Sequence, residues 1–214
     1  MRQPMPLLPL LLLLSCATSQ LPPGAPWPMF GGSPQHARAS LFPGPRLPPA
    51  VITAFPVTYG GPAEPAVAPD GSILTCSGDA SVRRFDAGGR ELWRYGSGPS
   101  GCLGSPLLVR GLVVVAFVRR VINSLGPTPL VVALDFSSGA EVWQYDPPGG
   151  TGATCWSSPA LTPEGVLLLA CCNGDGESNI SGLNSDTGTQ LWSKLSSSCI
   201  KSSPCLFQGQ ATFF

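Results

Sequence analysis

Ala133-Leu134-Asp135-Phe136-Ser137-Ser138-Gly139-Ala140-Glu141-Val142-Trp143 decides how this chain is read, because the same short phrase closes on a tryptophan three times. Its earlier copy is Phe85-Asp86-Ala87-Gly88-Gly89-Arg90-Glu91-Leu92-Trp93, and its later one is Gly182-Leu183-Asn184-Ser185-Asp186-Thr187-Gly188-Thr189-Gln190-Leu191-Trp192. Trp93, Trp143 and Trp192 fall 50 and then 49 residues apart. A period of that length marks a unit that cannot bury its own apolar face and must stack on its neighbours.

Outward from the phrase, each unit shows a Pro-led apolar strand, a Gly-containing turn, a β-branched run, a second turn and a strand ending in tryptophan. Glu64-Pro65-Ala66-Val67-Ala68-Pro69-Asp70-Gly71-Ser72-Ile73-Leu74 parallels Ser158-Pro159-Ala160-Leu161-Thr162-Pro163-Glu164-Gly165-Val166-Leu167-Leu168, with Ser105-Pro106-Leu107-Leu108-Val109-Arg110-Gly111-Leu112-Val113-Val114 between them. Asp70-Gly71 and Glu164-Gly165 supply the positive-φ residue of a tight hairpin. In the phrase itself a short acidic side chain can bond backbone N–H groups while glycine takes the left-handed position. About four strands in 40 to 50 residues is the size of a propeller blade. The expected fold is all-β: blades of four-stranded antiparallel sheets, three complete and a fourth begun at Ser202-Ser203-Pro204-Cys205-Leu206. Because the chain stops inside a strand of that fourth unit, it reads as a fragment of a larger propeller.

Composition agrees. The 26 glycines and 25 prolines suit turns and leave almost no room for helix. Twelve Lys+Arg balance twelve Asp+Glu at 11% charged residues, which excludes nucleic acid or an anionic membrane as a partner held by net charge. Residues 1–19 read as an export signal: Arg2, an apolar run from Leu7 to Leu14, then small residues. Ala17-Thr18-Ser19 suits ordinary signal peptidase, while Leu13-Leu14-Ser15-Cys16 resembles a lipobox whose Cys16 is lipidated. No later stretch reaches the ~18 apolar residues of a membrane span, since the run Leu112 to Val118 ends at Arg119-Arg120. Residues 20–50 form a proline-rich segment expected to be extended, and residues 51–214 carry the repeats.

Seven cysteines remain beyond Cys16: Cys76, Cys102, Cys155, Cys171, Cys172, Cys199 and Cys205. In an exported chain disulfides are expected, here between neighbouring units, and an odd total leaves one thiol unpaired or paired with something outside the chain.

These residues resemble the pyrroloquinoline-quinone-type (quinoprotein-like) β-propeller repeat, with its tryptophan-docking phrase A-x-D-x-x-[ST]-G-x-x-x-W. The second copy matches every specified position: Ala133, Asp135, Ser138, Gly139 and Trp143. The third keeps Thr187, Gly188 and Trp192. The first keeps Asp86, Gly89 and Trp93, with a turn one residue shorter and Arg84 in place of alanine. Trp27-Pro28-Met29-Phe30-Gly31-Gly32-Ser33-Pro34-Gln35-His36-Ala37-Arg38 also looks like the segment ahead of the first blade in exported members. The resemblance implies that Trp93, Trp143 and Trp192 pack against the adjoining blade and are structural.

Chemistry is sparser. Some quinoprotein dehydrogenases hold a vicinal disulfide against the cofactor, which singles out Cys171-Cys172; successive strand residues point to opposite faces, so pairing with other partners is the favoured reading. Asn173, Asp175 and Glu177 alternate as oxygen side chains able to hold calcium, but they lack the full EF-hand pattern, and a plain hairpin end is favoured. Asn179-Ile180-Ser181 is an N-glycosylation sequon. His36, the only histidine, has no sequence neighbour suited to a hydrolytic triad. Arg83-Arg84 and Arg119-Arg120 read as solvated charges at strand edges. The first functional expectation is an exported scaffold that binds a protein or carbohydrate, with no recognisable catalytic residue. The alternatives are the N-terminal fragment of a PQQ- and calcium-dependent alcohol or sugar dehydrogenase, and an envelope lipoprotein scaffold for outer-membrane protein assembly.

Overall fold

The computed structural model describes residues 21–39, 63–79, 81–96, 100–120, 126–150, 152–207 and 210–213. The export signal, Cys16, the first repeat residues from Val51 to Pro62 and the last residue, Phe214, lie outside them. Every regular element described is a strand. The first sheet runs β1 (Ala66–Val67), β2 (Ile73–Cys76), β3 (Ser81–Phe85) and β4 (Glu91–Gly96), in that spatial order and antiparallel throughout. The second holds β5 (Ser100–Cys102), β6 (Leu107–Val109), β7 (Leu112–Arg120), β8 (Pro127–Asp135) and β9 (Glu141–Tyr145). Here β5 and β6 share one edge of β7, pairing with its C-terminal and N-terminal parts, so one strand position of the blade is filled by two short pieces. The third sheet runs β10 (Ala160–Leu161), β11 (Val166–Cys172), β12 (Ser178–Asn184) and β13 (Gln190–Ser196). A two-stranded sheet of β14 (Cys205–Phe207) and β15 (Gln210–Thr212) follows.

The apolar run in β7 is explained by its place in the stack. Val113, Val115 and Phe117 join Leu74, Val82 and Trp93 in a core between the first two sheets. Val114 and Ala116 face the other way, into a core with Leu167, Leu169 and Leu183 of the third sheet. A strand covered on both faces has no reason to alternate apolar with polar residues, so it reads as continuous hydrophobe.

Residues 21–39 of the proline-rich segment are folded differently from expectation. Turns at Pro22–Ala25, Met29–Gly32 and Ser33–His36 replace an extended chain, and the segment is packed rather than free. Trp27 exchanges backbone hydrogen bonds with Val67 of β1, Pro28 O accepts from Leu108 N of β6 at 2.9 Å, and Pro34 O accepts from Leu206 N of β14 at 2.8 Å. Met29 is buried among the residues of the second and third sheets. The segment has few periodic apolar residues because it contributes single plugs and backbone groups to other sheets instead of a face of its own.

Candidate functional site

The junctions between sheets hold most of the singled-out residues. Asp135 closes its turn by accepting from Ser137 N at 3.1 Å, Ser138 N at 2.8 Å and Ser138 Oγ at 2.7 Å. Those bonds, Ser138 foremost, hold its carboxyl below the usual carboxylate range. Asn184 makes the same turn, accepting from Asp186 N and Thr187 N. Asp86 makes the shorter version through Arg90 N and Gly88 N, and the Arg90 amide above all lowers its carboxyl.

The second and third turns each present a glycine to the preceding sheet. A side chain on Gly139 would meet Trp93 at 2.7 Å, and one on Gly188 would meet Trp143 at 2.5 Å, so each indole lies directly on the next sheet's turn. Trp93 Nε1 donates to Phe136 O at 2.8 Å and Trp143 Nε1 to Ser185 O at 3.2 Å. Both rings are 8% exposed. Trp192 sits opposite Gly182 in its own sheet and is 43% exposed; no later copy of the turn follows it among the described residues.

A β-bulge recurs in all three sheets, with register shifts at Arg84/Phe85, Ala133/Leu134 and Gly182/Leu183. The residue skipped is the one before each tryptophan: Leu92, Val142 and Leu191, exposed as unpaired bulge residues are. A bulge bends its strand and re-aims the neighbouring side chain, here the indole. Two further contacts repeat. Tyr95 donates to Glu141 Oε2 at 2.7 Å, and Tyr145 to Gln190 Oε1 at 2.5 Å, each tyrosine two residues after its tryptophan and each acceptor two before the next. Just ahead of β1, β6, β10 and β14, Glu64 N donates to Ser105 Oγ at 2.7 Å, Ser105 N to Ser158 Oγ at 2.9 Å and Ser158 N to Ser203 Oγ at 2.9 Å. The recurring Ser-Pro was the signal for this ladder: the residue before each proline is its rung.

The arginines correct the reading as solvated edge charges. Arg83 and Arg84 lie in the interior strand β3 and are 6% and 8% exposed. Arg83 donates to Ser81 Oγ and Asp79 Oδ2. Arg84 reaches Ser72 Oγ at 3.0 Å, Asp70 Oδ2 at 2.5 Å and Phe136 O at 2.9 Å. Arg84 pairs with Trp93 where the other sheets pair Ala133 with Trp143 and Gly182 with Trp192, so the residue that departs from the phrase fills the junction alongside the indole. Arg119 ion-pairs with Asp146 at 3.0 Å; the Arg120 side chain lies outside the description.

The cysteines form three bridges. Cys76–Cys102 crosses from the first sheet to the second, Cys155–Cys171 joins two stretches of the third, and Cys172–Cys199 ties the third to the segment before β14. Cys171 and Cys172 therefore bond to different partners and not to each other. Cys205 keeps a free thiol. The Asn173 loop is occupied by its own backbone: Asn173 Oδ1 accepts from Asp175 N and Glu177 N, and Asn173 Nδ2 donates to Glu177 Oε2. Among the described residues no three His, Cys, Asp or Glu side chains cluster as a metal site requires. Cys171 and Cys172 thus form no vicinal disulfide, and the Asn173 side-chain oxygen is taken up by its own turn. Asn179 Nδ2 donates to Pro148 O at 3.0 Å, and Ser181 of the same sequon is buried beside Tyr145. His36 lines a cavity with Phe30, Leu103, Trp156, Lys201 and Cys205, and burial lowers its imidazole pKa, with Arg38 adding to the effect.

The family model described as outer membrane protein assembly factor BamB matches residues 78–209. The quinohemoprotein alcohol dehydrogenase from Comamonas testosteroni is similar at a TM-score of 0.61 and 19% identity, over 79% of this chain and 27% of its own. That from Pseudomonas putida HK5 gives 0.60 and 18%, over 81% and 27%. A europium-containing methanol dehydrogenase gives 0.53 and 19%, over 70% and 36%. The chain thus spans about a quarter of the length of the two alcohol dehydrogenases, and at these identities the likeness is one of fold. No curated protein sequence matches the chain.

Proposed function

Because the chain belongs to the PQQ-like repeat family whose model is described as outer membrane protein assembly factor BamB, we propose that it is an exported β-propeller serving as a binding and interaction scaffold for a protein or carbohydrate. One observation supports this reading above others: the recurring polar residues are spent on architecture. Asp86, Asp135 and Asn184 close turns, the tyrosines and indoles reach the next sheet, and the serines form the ladder. Specific recognition then falls to the residues that differ from blade to blade. Three disulfides suit an oxidising, extracytoplasmic compartment. Among the described residues no helix is long and apolar enough to cross a membrane.

The second reading is a quinoprotein dehydrogenase, favoured by likeness of fold to the alcohol dehydrogenases. The test is incubation with pyrroloquinoline quinone and calcium, followed by absorbance of bound quinone and dye-linked oxidation of alcohols and sugars. The scaffold reading expects neither signal, together with saturable binding to a carbohydrate array or a cross-linked envelope protein. Stoichiometric quinone with dye reduction would overturn it.

A further inference from the structure

Seven large apolar side chains are exposed among the described residues, and three of them, Leu191, Trp192 and Leu195, sit on the single strand β13. One edge of β13 is paired with β12, and among the described residues no strand pairs with the other. The matching outer strands are guarded differently: β4 carries Arg94, ion-paired to Asp79, and β9 carries Glu141, which accepts from Tyr95. The only charge on β13 is Lys194, exposed and without a carboxylate partner among the described residues. An open edge of this kind offers its backbone N–H and C=O groups to another strand.

The order of residues suits a second copy of the same strand. In an antiparallel pair, opposed residues turn their backbone groups toward each other together, so a two-fold relating two copies of β13 must pass beside a residue and not beside a peptide bond. Centring on Lys194 sets like charges against each other. Centring on Trp192 carries Leu195 past the start of the opposing strand, and centring on Leu195 leaves Trp192 beyond its end. Centring on Ser193 opposes Trp192 to Lys194 of the second copy, twice, and brings each Leu195 to a bulged Leu191. Each ammonium then lies against an indole and each exposed leucine meets a leucine.

We propose that β13 pairs with β13 of a second copy across a two-fold at Ser193, forming a closed, reversible dimer. One pairing uses up both edges, so association stops at two and no filament grows. The bulge at Leu191 interrupts the ladder there. A pairing confined to residues 191–195 buries less than the ~1,200 Å² of a stable interface, so the dimer is weak, with a Kd of about 100 µM. It does not rest on the scaffold reading or on the ligand that reading assigns.

Sedimentation equilibrium of the full chain, its disulfides intact, from about 5 to 500 µM should show monomer passing to dimer and no larger species. Leu195→Lys, at an exposed position, should weaken the dimer at least about tenfold by setting a charge against leucine. Lys194→Ala would tighten association if the lysine only guarded the edge; it should instead weaken it about fivefold by removing two contacts with the indoles. Register is read in a Cys205→Ser background, where Ser193→Cys should cross-link to its own counterpart under mild oxidation and Ser196→Cys should not. A chain that stays monomeric, leaving the edge to a strand of some other protein, would overturn the proposal. So would a dimer that Leu195→Lys leaves intact, tighter association in Lys194→Ala, or cross-linking at Ser196→Cys as ready as at Ser193→Cys.

Discussion

Arg84 and Phe136 are joined twice across the first junction: the guanidinium carbon stands 3.7 Å from the centre of the phenyl ring, and Nη1 donates to the Phe136 carbonyl at 2.9 Å. The same carbonyl accepts from Trp93 Nε1, so one backbone oxygen terminates two side chains of the preceding sheet. Arg84→Ala empties this space and should cost about 2–4 kcal/mol. Arg84→Met keeps the volume and removes the charge, and should cost clearly less, because apolar replacement of a buried ionic group is well tolerated. Urea denaturation measures both, and equal midpoints for the two variants would contradict the account.

The indoles are predicted to differ by position. Trp143→Ala removes a buried ring and should cost about 3–5 kcal/mol. Trp192→Ala removes a half-exposed one and should cost only about 1–2 kcal/mol. Thermal melts rank them, and a larger loss at Trp192 would show that the ring has cover the contacts described above do not include.

Gly139→Ala tests the contact from the other side. Gly139 and Gly111 both have left-handed backbones, with φ of 73° and 81°, but a Cβ at Gly111 meets nothing within 4 Å while one at Gly139 meets the Trp93 ring. Both substitutions carry about 1 kcal/mol of backbone strain. The excess loss at Gly139, read from melting temperatures, isolates the steric part, and a Gly111→Ala variant as unstable as Gly139→Ala would remove it.

How much of this was readable from residues alone divides along physical lines. Turn chemistry and period are local, so the phrase around Asp135 and the strands beside it were legible, as were two partners for Cys171 and Cys172. Arg83 and Arg84 were misread because a charged pair looks alike whether water or the Asp79 and Asp70 carboxylates surround it. The bulges at Leu92, Val142 and Leu191 were missed because strand register depends on the partner strand. Ser105, Ser158 and Ser203 were visible as a recurrence, but the ladder needs the distance between blades, which no spacing in one strand reveals. The segment around Met29 was read as extended because its partners are spread over all four described sheets.

The phrase also predicts an acid dependence. The Asp135 carboxyl is lowered from 3.8 by its bonds to Ser138 and Ser137. A depressed carboxylate contributes stability that is whole above its unfolded value and is lost as pH falls through its folded one. Asp135→Asn should therefore flatten the fall of melting temperature between about pH 5 and pH 2. Asn184→Asp, at the matching place in the third sheet, should steepen it. Parallel curves for all three proteins would refute the role assigned to these turns.

The N-terminal segment ties the first synthesised described residues to the last. Cys205 Sγ meets Gln35 O across 170 positions of chain, and Leu206 N meets Pro34 O beside it. The strap is bonded to Val67 and Leu108 as well, and it gains its contact with Leu206 only once β14 has been made. Nascent chains stalled before Leu206 is made should be cut by protease near Gln35, and chains extended past it should resist, so that the N-terminal segment finds its last described mooring only when β14 arrives.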